Sequence, residues 1–259
     1  MTFDQIRQIL TQARETGSIQ KIFFEGGEPF LFYSTLINAV QAAVDAGFQT
    51  GIVSNAYWAT SREDARACLM PFTGLVEGLT LSCDRFHSGA INDLLVRNAA
   101  EVAKELGFEV GTISIPQPDA EEDGEGTLKF RGRAARNLTT RARLHPWEQF
   151  TACPYEDLRD PGRVHLDPFG LVHLCQGISL GNIYTSPLAE ICASYDPGTH
   201  PIAGPLCNGG PVALVSEYAL PHAVAYADAC HLCYEARLAL RDRFPEILAP
   251  DQMYGIGLE

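Results

Sequence analysis

Four short runs that suit buried β-strands recur along the first half of the chain, at intervals of roughly 30 residues. Each holds five to seven residues, and amphipathic stretches of helical length lie between them. A buried strand followed by an amphipathic helix, repeated at this interval, is typical of a parallel βα fold, either a closed barrel or a doubly wound sheet. The predicted strands are 21–25, 49–53, 78–82 and 109–115.

The segments around these strands carry signals for helix starts and stops. Thr2 and Gln5 have the spacing of a capping box, and Gly17 is a typical stop for the helix that they begin. Ser34 is the predicted cap of a second helix that ends at Gly47. Two further helices are predicted over 61–70 and 91–106. The chain therefore opens on a helix, and its first predicted strand has no strand before it.

The second half of the chain has a different pattern. Helical periodicity fades after Pro146, and six of the eight cysteines follow position 150. Apolar runs at 164–166 and 171–174 flank Asp167-Pro168-Phe169-Gly170, which predicts a tight β-hairpin. A last helix is predicted over 230–244. Together these patterns predict an α/β domain over 1–145, a small α+β cysteine-rich domain over 146–244 and a tail over 245–259.

Charge and hydropathy narrow the function classes. The formal net charge is −13, and because an acidic surface repels phosphate backbones, nucleic acid is not an expected partner. The stretch 129–143 holds five arginines and no carboxylate, which suits either an anionic ligand or a solvated helix face. No apolar run approaches the ~20 residues of a membrane span and no signal peptide is evident, so we expect a cytoplasmic protein without a membrane partner. In that compartment eight cysteines favour metal binding or catalysis over disulfides.

Small polar residues follow three successive predicted strands, where ligands bind in parallel α/β folds. Gly26-Gly27-Glu28-Pro29 follows the first strand. Its glycines permit close approach of the backbone to a ligand, and the Glu28 carboxylate with nearby carbonyls suits an ammonium group. Ser54-Asn55 ends the second strand, and Ser82-Cys83-Asp84 ends the third. Three such ends on one rim suit a cofactor that carries an amine, a carboxylate and hydroxyl groups.

The segments 23–31, 51–55 and 81–87 together resemble the core of the radical S-adenosylmethionine (SAM) superfamily. The resemblance covers about residues 1–145 and implies a partial (β/α)6 radical SAM barrel of the TIM type. It implies the following SAM-binding residues: Gly26, Gly27, Glu28 and Pro29 for the amino group, Ser54 and Asn55 for the ribose or carboxylate, and Ser82 and Asp84 in the cofactor and substrate cavity. The segment 130–134 is similar to a Gly-Arg-Ala segment of the family, which implies that Arg133 reaches an anionic group.

The chain departs from that family in its cysteines. Family members carry a CxxxCxxC loop ahead of the Gly-Gly-Glu-Pro motif, and this loop holds the catalytic 4Fe–4S cluster. The first cysteine here is Cys68, so the ligands of the catalytic cluster are absent from this chain. We expect that the chain as written does not cleave SAM. A chain that begins late would explain both the absent cysteines and the absent first strand, and a degenerate, cluster-free paralogue is the alternative.

The later cysteines have a spacing of their own. Cys153, then Gly170-x4-Cys175, then Cys230-x-x-Cys233 resembles the auxiliary-cluster domains of radical SAM enzymes, called SPASM with two clusters and twitch with one. The resemblance covers about 150–240 and implies that these four thiolates hold one auxiliary 4Fe–4S cluster. Cys207 is a reserve ligand, and the remaining cysteines, Cys68, Cys83 and Cys192, are expected in packing roles. Tetrahedral zinc fits a four-cysteine set at such spacing too, and a thioredoxin-like pair at the CxxC is a weaker alternative.

The resemblance implies a reaction class. In that family SAM is cleaved reductively to a 5′-deoxyadenosyl radical, which abstracts hydrogen from a peptide or small-molecule substrate. An external electron donor such as a flavodoxin or ferredoxin is then an expected partner. The alternative is a non-catalytic protein derived from that family, either metal-binding, with iron–sulfur or zinc, or an interaction module.

Overall fold

The computed structural model describes residues 1–84, 89–115 and 129–257, with the backbone alone at 83–84, 89–92 and 114–115. The chain divides into two compact units, Met1–Leu128 and Lys129–Glu259. The sequence pattern placed a domain boundary at 145 instead. The difference arises because the segment after Leu128 bonds within the second unit, through the Phe130 N–H and the Arg131 side chain.

The first unit contains a parallel sheet of four strands in the order β1-β2-β3-β4. The strands are β1 Lys21–Phe24, β2 Gln49–Ser54, β3 Gly78–Asp84 and β4 Glu109–Ile115. In register, Phe23 pairs with Gly51, Gly51 with Gly78, and Gly78 with Glu109. The sheet confirms a parallel α/β fold, with every predicted strand present and its ends moved by no more than two residues.

In the described part of this unit, one helix precedes β1, and three further helices connect the four strands. They are α1 Phe3–Glu15, α2 Tyr33–Asp45, α3 Arg62–Leu69 and α4 Gly89–Glu105. The predicted capping box is confirmed: the Thr2 side chain accepts the Gln5 N–H, and Gln5 returns a bond to the Thr2 N–H. The prediction that Ser34 caps α2 is wrong, because a 3-10 turn over Pro29–Phe32 runs directly into the helix and places Phe32 at its cap.

The core of the first unit anchors the loop after β1. Phe30, directly after the Gly-Gly-Glu-Pro motif, is 3% exposed and stacks on Trp58 with ring centroids 4.4 Å apart. The Phe72 and Phe30 rings pack edge to face, with their centroids 5.7 Å apart. Because aromatic burial is among the strongest packing contributions, this cluster fixes where the motif ends.

The second unit is a small α+β fold. Its strands are β5 His145–Pro146, β6 His165–Leu166, β7 Leu171–Cys175, β8 Ile178–Asn182 and β9 Ala225–Tyr226, and its helices are α5 Arg133–Asn137, α6 Leu188–Ala193, α7 Ala203–Glu217 and α8 Ala229–Leu240. The antiparallel pair β6–β7 confirms the predicted hairpin, and β8 adds a third strand. Leu248 and Tyr254, which lie in the predicted tail, are buried in the core of this unit.

No helix within the described ranges is both long and apolar enough to cross a membrane.

Candidate functional site

The Glu28 carboxylate joins the ends of two strands in the first unit. Glu28 is 7% exposed. Its Oε1 accepts the Phe30 N–H at 3.1 Å and the Ser54 hydroxyl at 2.9 Å, and its Oε2 accepts the Asn55 N–H at 2.7 Å. A carboxylate offers about four acceptor positions, so roughly one remains for a ligand.

The Ser54 hydroxyl is fully engaged inside the protein. It donates to Glu28 and accepts the Ala56 N–H at 3.1 Å and the indole N–H of Trp58 at 2.9 Å. A hydroxyl has one donor and two acceptor positions, and all three are used. The Ser54 side chain therefore supports Glu28 and has no capacity left for a cofactor.

The remaining candidates at the strand ends differ in exposure. Asn55 is exposed, and its Oδ1 accepts the Tyr57 N–H at 3.0 Å. Ala56 holds a left-handed φ of 59°, although it is completely buried. Such strained backbone persists only where the surroundings impose it. Gly26 and Gly27 are exposed, and Gly26 has a φ of 132°, which glycine adopts without a Cβ clash.

The end of β3 carries Ser82 and Asp84. The Ser82 hydroxyl donates to the Ser54 carbonyl at 3.4 Å, which links β3 to β2. Asp84 is the last residue of β3 and pairs with Ile115 of β4, while its side chain falls outside the described residues. The structure therefore puts Glu28, Ser54, Asn55 and Ser82 in one bonded group.

The second unit brings the four predicted cysteine ligands to one cavity. Cys153, Cys175, Cys230 and Cys233 all line a cavity of about 30 Å³. Its other walls are mainly apolar and include Leu158, Ile178 and Leu206. Three separate segments of the chain thus direct thiols to one place.

The hairpin places Cys175 at the end of β7. Asp167 Oδ1 accepts the Phe169 N–H at 2.9 Å and the Leu171 N–H at 3.0 Å, which shapes the turn. Gly170 has a φ of 86°, and a Cβ there would come within 2.5 Å of the Tyr184 ring. Position 170 therefore requires glycine for two reasons: its positive φ, and the lack of space for a side chain beside Tyr184. Asp167 Oδ2 also lies 3.0 Å from His173 Nε2, in a pair that is almost completely buried.

Helix α8 places Cys230 and Cys233. Its N-cap is Asp228, whose Oδ1 accepts the His231 N–H at 2.7 Å. Residues three apart on a helix share a face, so both cysteines of the CxxC reach the same cavity from its first turn.

A kink in α7 supports the backbone before Cys153. Gly209 and Gly210 are non-helical within this helix, and Gly210 has a φ of 61°. A Cβ at Gly210 would lie 2.3 Å from the Ala152 nitrogen and 2.7 Å from the Phe150 oxygen. The Val212 N–H donates to the Phe150 carbonyl at 3.3 Å. The kink thus lets α7 pack directly on the backbone that leads into Cys153.

Two arginines at the cavity were not identified from the sequence. Arg131 Nη1 donates to the Cys175 sulfur at 3.3 Å. Arg237 is 2% exposed and donates to the carbonyls of Gln176 at 2.8 Å and Cys233 at 3.3 Å. Arg133, which the family resemblance favoured, is exposed at the start of α5.

The thiols of α8 are protonated in the metal-free chain at neutral pH. Burial raises the pKa of the Cys230 thiol well above its usual range, and the Asp228 carboxylate raises it further. Burial raises the pKa of the Cys233 thiol to about 11, although the Arg237 guanidinium acts in the opposite direction. A metal that binds here must therefore displace protons.

None of the other cysteines whose side chains are described lines the cavity. Cys207 is partly buried on α7, and its carbonyl accepts the Arg159 guanidinium at 2.9 Å. Cys192 is exposed, which contradicts the packing role expected from its apolar neighbours. Cys68 packs against the core of the first unit as expected, and the Cys83 side chain falls outside the described residues.

Within the described residues, no group of three or more His, Cys, Asp or Glu side chains is arranged to hold a metal ion. The four cysteines line one cavity without forming such a group.

Comparison with known proteins identifies a distant relative. The chain is 27% identical over 181 residues to YydG of Bacillus subtilis (strain 168), whose name assigns it provisionally to peptide biosynthesis. The match covers 67% of this chain and 57% of YydG, so the chain spans less than two thirds of that relative. No family model matches the chain.

Proposed function

We propose that the chain is an iron–sulfur protein of the radical SAM family, and that its second unit holds one auxiliary 4Fe–4S cluster. The observation that carries the proposal is the convergence of Cys153, Cys175, Cys230 and Cys233 on one cavity. Four thiolates are the usual ligand set of a cubane cluster. The single-cluster, twitch-like form is proposed over the two-cluster SPASM form, because Leu238, Ala239 and Leu240 stand where further cysteines would follow the CxxC.

The charges around the cavity support a cluster held by four thiolates. A cubane spreads its four thiolates over four irons, so its sulfurs stand farther apart than they do around one zinc ion. Arg131 and Arg237 line the cavity and offset the negative charge that four thiolates would bring.

In the first unit we propose a SAM site at the ends of β1, β2 and β3, within a partial (β/α)6 barrel. The exposed Gly26–Gly27 backbone and the remaining acceptor position on Glu28 suit the amino group of SAM, and the exposed Asn55 amide suits a carboxylate or hydroxyl. Bound SAM and a reduced catalytic cluster supply radical chemistry in this family, with electrons from a flavodoxin- or ferredoxin-like donor. The residues of this chain would bind and orient SAM. They have no cysteine before Cys68 to hold that catalytic cluster.

A peptide is the proposed substrate class. The support is the relationship to YydG, whose name refers to peptide biosynthesis. The other substrate class implied by the family resemblance, a small molecule, has no comparable support.

Anaerobic reconstitution tests the proposal. The chain should take up roughly four irons, as a cubane held by four thiolates requires. Cys230→Ser should abolish uptake, whereas Cys192→Ser at an exposed cysteine should leave it unchanged. Stoichiometric zinc without iron, or equal iron in both variants, would reject the auxiliary cluster.

A further inference from the structure

One arginine is aimed at a ligand sulfur rather than at the backbone around it. Arg131 Nη1 lies 3.3 Å from the Cys175 sulfur, at a distance and direction that make a hydrogen bond. The second cavity arginine, Arg237, directs its donors at main-chain carbonyls instead. Between these two arginines, Arg131 is therefore the one whose guanidinium donates a hydrogen bond to a cysteine sulfur of the cavity.

The position of Arg131 is fixed by a carboxylate on the opposite segment. Asp228 Oδ2 accepts the Phe130 N–H at 3.2 Å, while Asp228 Oδ1 accepts the His231 N–H at 2.7 Å. The same carboxylate thus caps α8, which carries Cys230 and Cys233, and holds the residue next to Arg131. Through Arg131 and Asp228, the hairpin that bears Cys175 is linked to the helix that bears the CxxC.

This arrangement has an electrostatic consequence for any cluster in the cavity. A one-electron reduction adds negative charge near the sulfurs, and a fixed cation stabilises the reduced form more than the oxidised form. Hydrogen bonds to cluster sulfurs are one of the means by which proteins tune reduction potentials. The effect is largest in a cavity with apolar walls, because water does not screen the charge.

We propose that Arg131 is a positioning residue that orients the Cys175 thiolate and raises the reduction potential of the auxiliary cluster. The inference rests on the proposed function, since it needs the cluster to be present. Arg133 offers a matched control, because it carries the same charge two residues later and is exposed.

The test is an anaerobic redox titration of the reconstituted wild type, Arg131→Gln, Arg131→Lys and Arg133→Gln, followed by electron paramagnetic resonance. Arg131→Gln should lower the midpoint potential by about 59 mV, a tenfold change in the one-electron equilibrium. Arg131→Lys keeps the charge and should shift the potential by less than half as much. Arg133→Gln should leave the potential at the wild-type value.

The possible outcomes separate this inference from the proposed function. If the wild type takes up no cluster, the proposed function fails and this inference fails with it. If the wild type is loaded and Arg131→Gln titrates at the same potential, only this inference is overturned. If Arg131→Gln assembles no cluster, Arg131→Lys decides: a loaded lysine variant supports a requirement for the cation, whereas loss in both variants overturns the electrostatic role.

Discussion

The Glu28 carboxylate accepts the Asn55 backbone N–H at 2.7 Å, so the end of β1 is bonded to the end of β2 by a side chain. The Ser54 hydroxyl completes the link on the other carboxylate oxygen. A motif that the sequence assigns to ligand binding therefore also holds the sheet together at the point where a ligand would bind.

Glu28→Gln should destabilise the first unit. The amide presents an N–H donor where the carboxylate accepts the N–H of Asn55 or Phe30, which leaves a buried polar group unsatisfied. We expect a loss of about 1–3 kcal/mol in the free energy of unfolding. Denaturant unfolding measures it, and Glu15→Gln, at an exposed position on α1, should change stability by less than about 0.5 kcal/mol. Equal stability of Glu28→Gln and wild type would contradict the bonded link.

Gly210→Ala should disrupt the second unit. The added methyl would overlap the backbone of 150–152, and the φ of 61° disfavours alanine. We expect the free energy of unfolding to fall by more than about 3 kcal/mol. Iron uptake should also fall, because Cys153 is the residue directly after the displaced segment 150–152. Gly162→Ala is the matched control, since a Cβ there meets nothing within 4 Å. Thermal melting of the two variants compares them, and similar melting temperatures would show that α7 does not support the Cys153 segment.

Cys153 and Cys207 should differ as cluster ligands. Cys153 lines the cavity and Cys207 does not. Burial raises the pKa of the Cys207 thiol, and the Arg159 guanidinium acts in the opposite direction. Asp157 and then Cys153 raise the pKa of this thiol further, so the two cysteines lie near each other. Cys153→Ser should lose most of the iron, and Cys207→Ser should retain it. Iron and sulfide analysis after anaerobic reconstitution distinguishes them. The reverse result would make Cys207 the fourth ligand.

The metal-free chain should lose stability as the pH rises above about 8.5, where exposed thiols ionise. In the folded chain burial raises the pKa of Cys230 and Cys233, the latter to about 11. Between these values the unfolded state binds fewer protons than the folded state, so rising pH favours unfolding, by roughly 1–2 kcal/mol per thiol at pH 10.

The measurement is the denaturant midpoint at pH 8 and pH 10, with a chelator and a reductant present. The double variant Cys230→Ser/Cys233→Ser lacks both thiols and should show a smaller drop between the two pH values. A drop of the same size in the double variant would place its origin elsewhere.

The strands and the cysteine set were predictable because each rests on a local or simple pattern. Alternation of strand and helix at a constant interval gave the four strands of the parallel sheet, and turn residues at 167–170 gave the hairpin. The cysteine spacing, read through the family resemblance, selected the four thiols that line the cavity.

Contacts between distant residues were not predictable in the same way. Arg131 and Cys175 are 44 positions apart, and nothing in the basic stretch 129–143 distinguishes Arg131 from the four other arginines. Ser54 looked like a cofactor ligand because its partners, Glu28 and Trp58, meet it only in the folded chain. The apolar neighbours of Cys192 suggested burial, but α6 has only six residues and leaves that side chain at the surface.

The cavity draws its cysteines from segments that lie far apart along the chain. A group that bonded Cys153, Cys175 and the CxxC at once would act as a cross-link that closes two long loops. Such closure removes conformational entropy from the unfolded chain, as a disulfide does, and the effect grows with loop length. The second unit without such a group would keep these loops open, and open loops are the segments that proteases cut first. The availability of iron would then govern how long the second unit survives proteolysis.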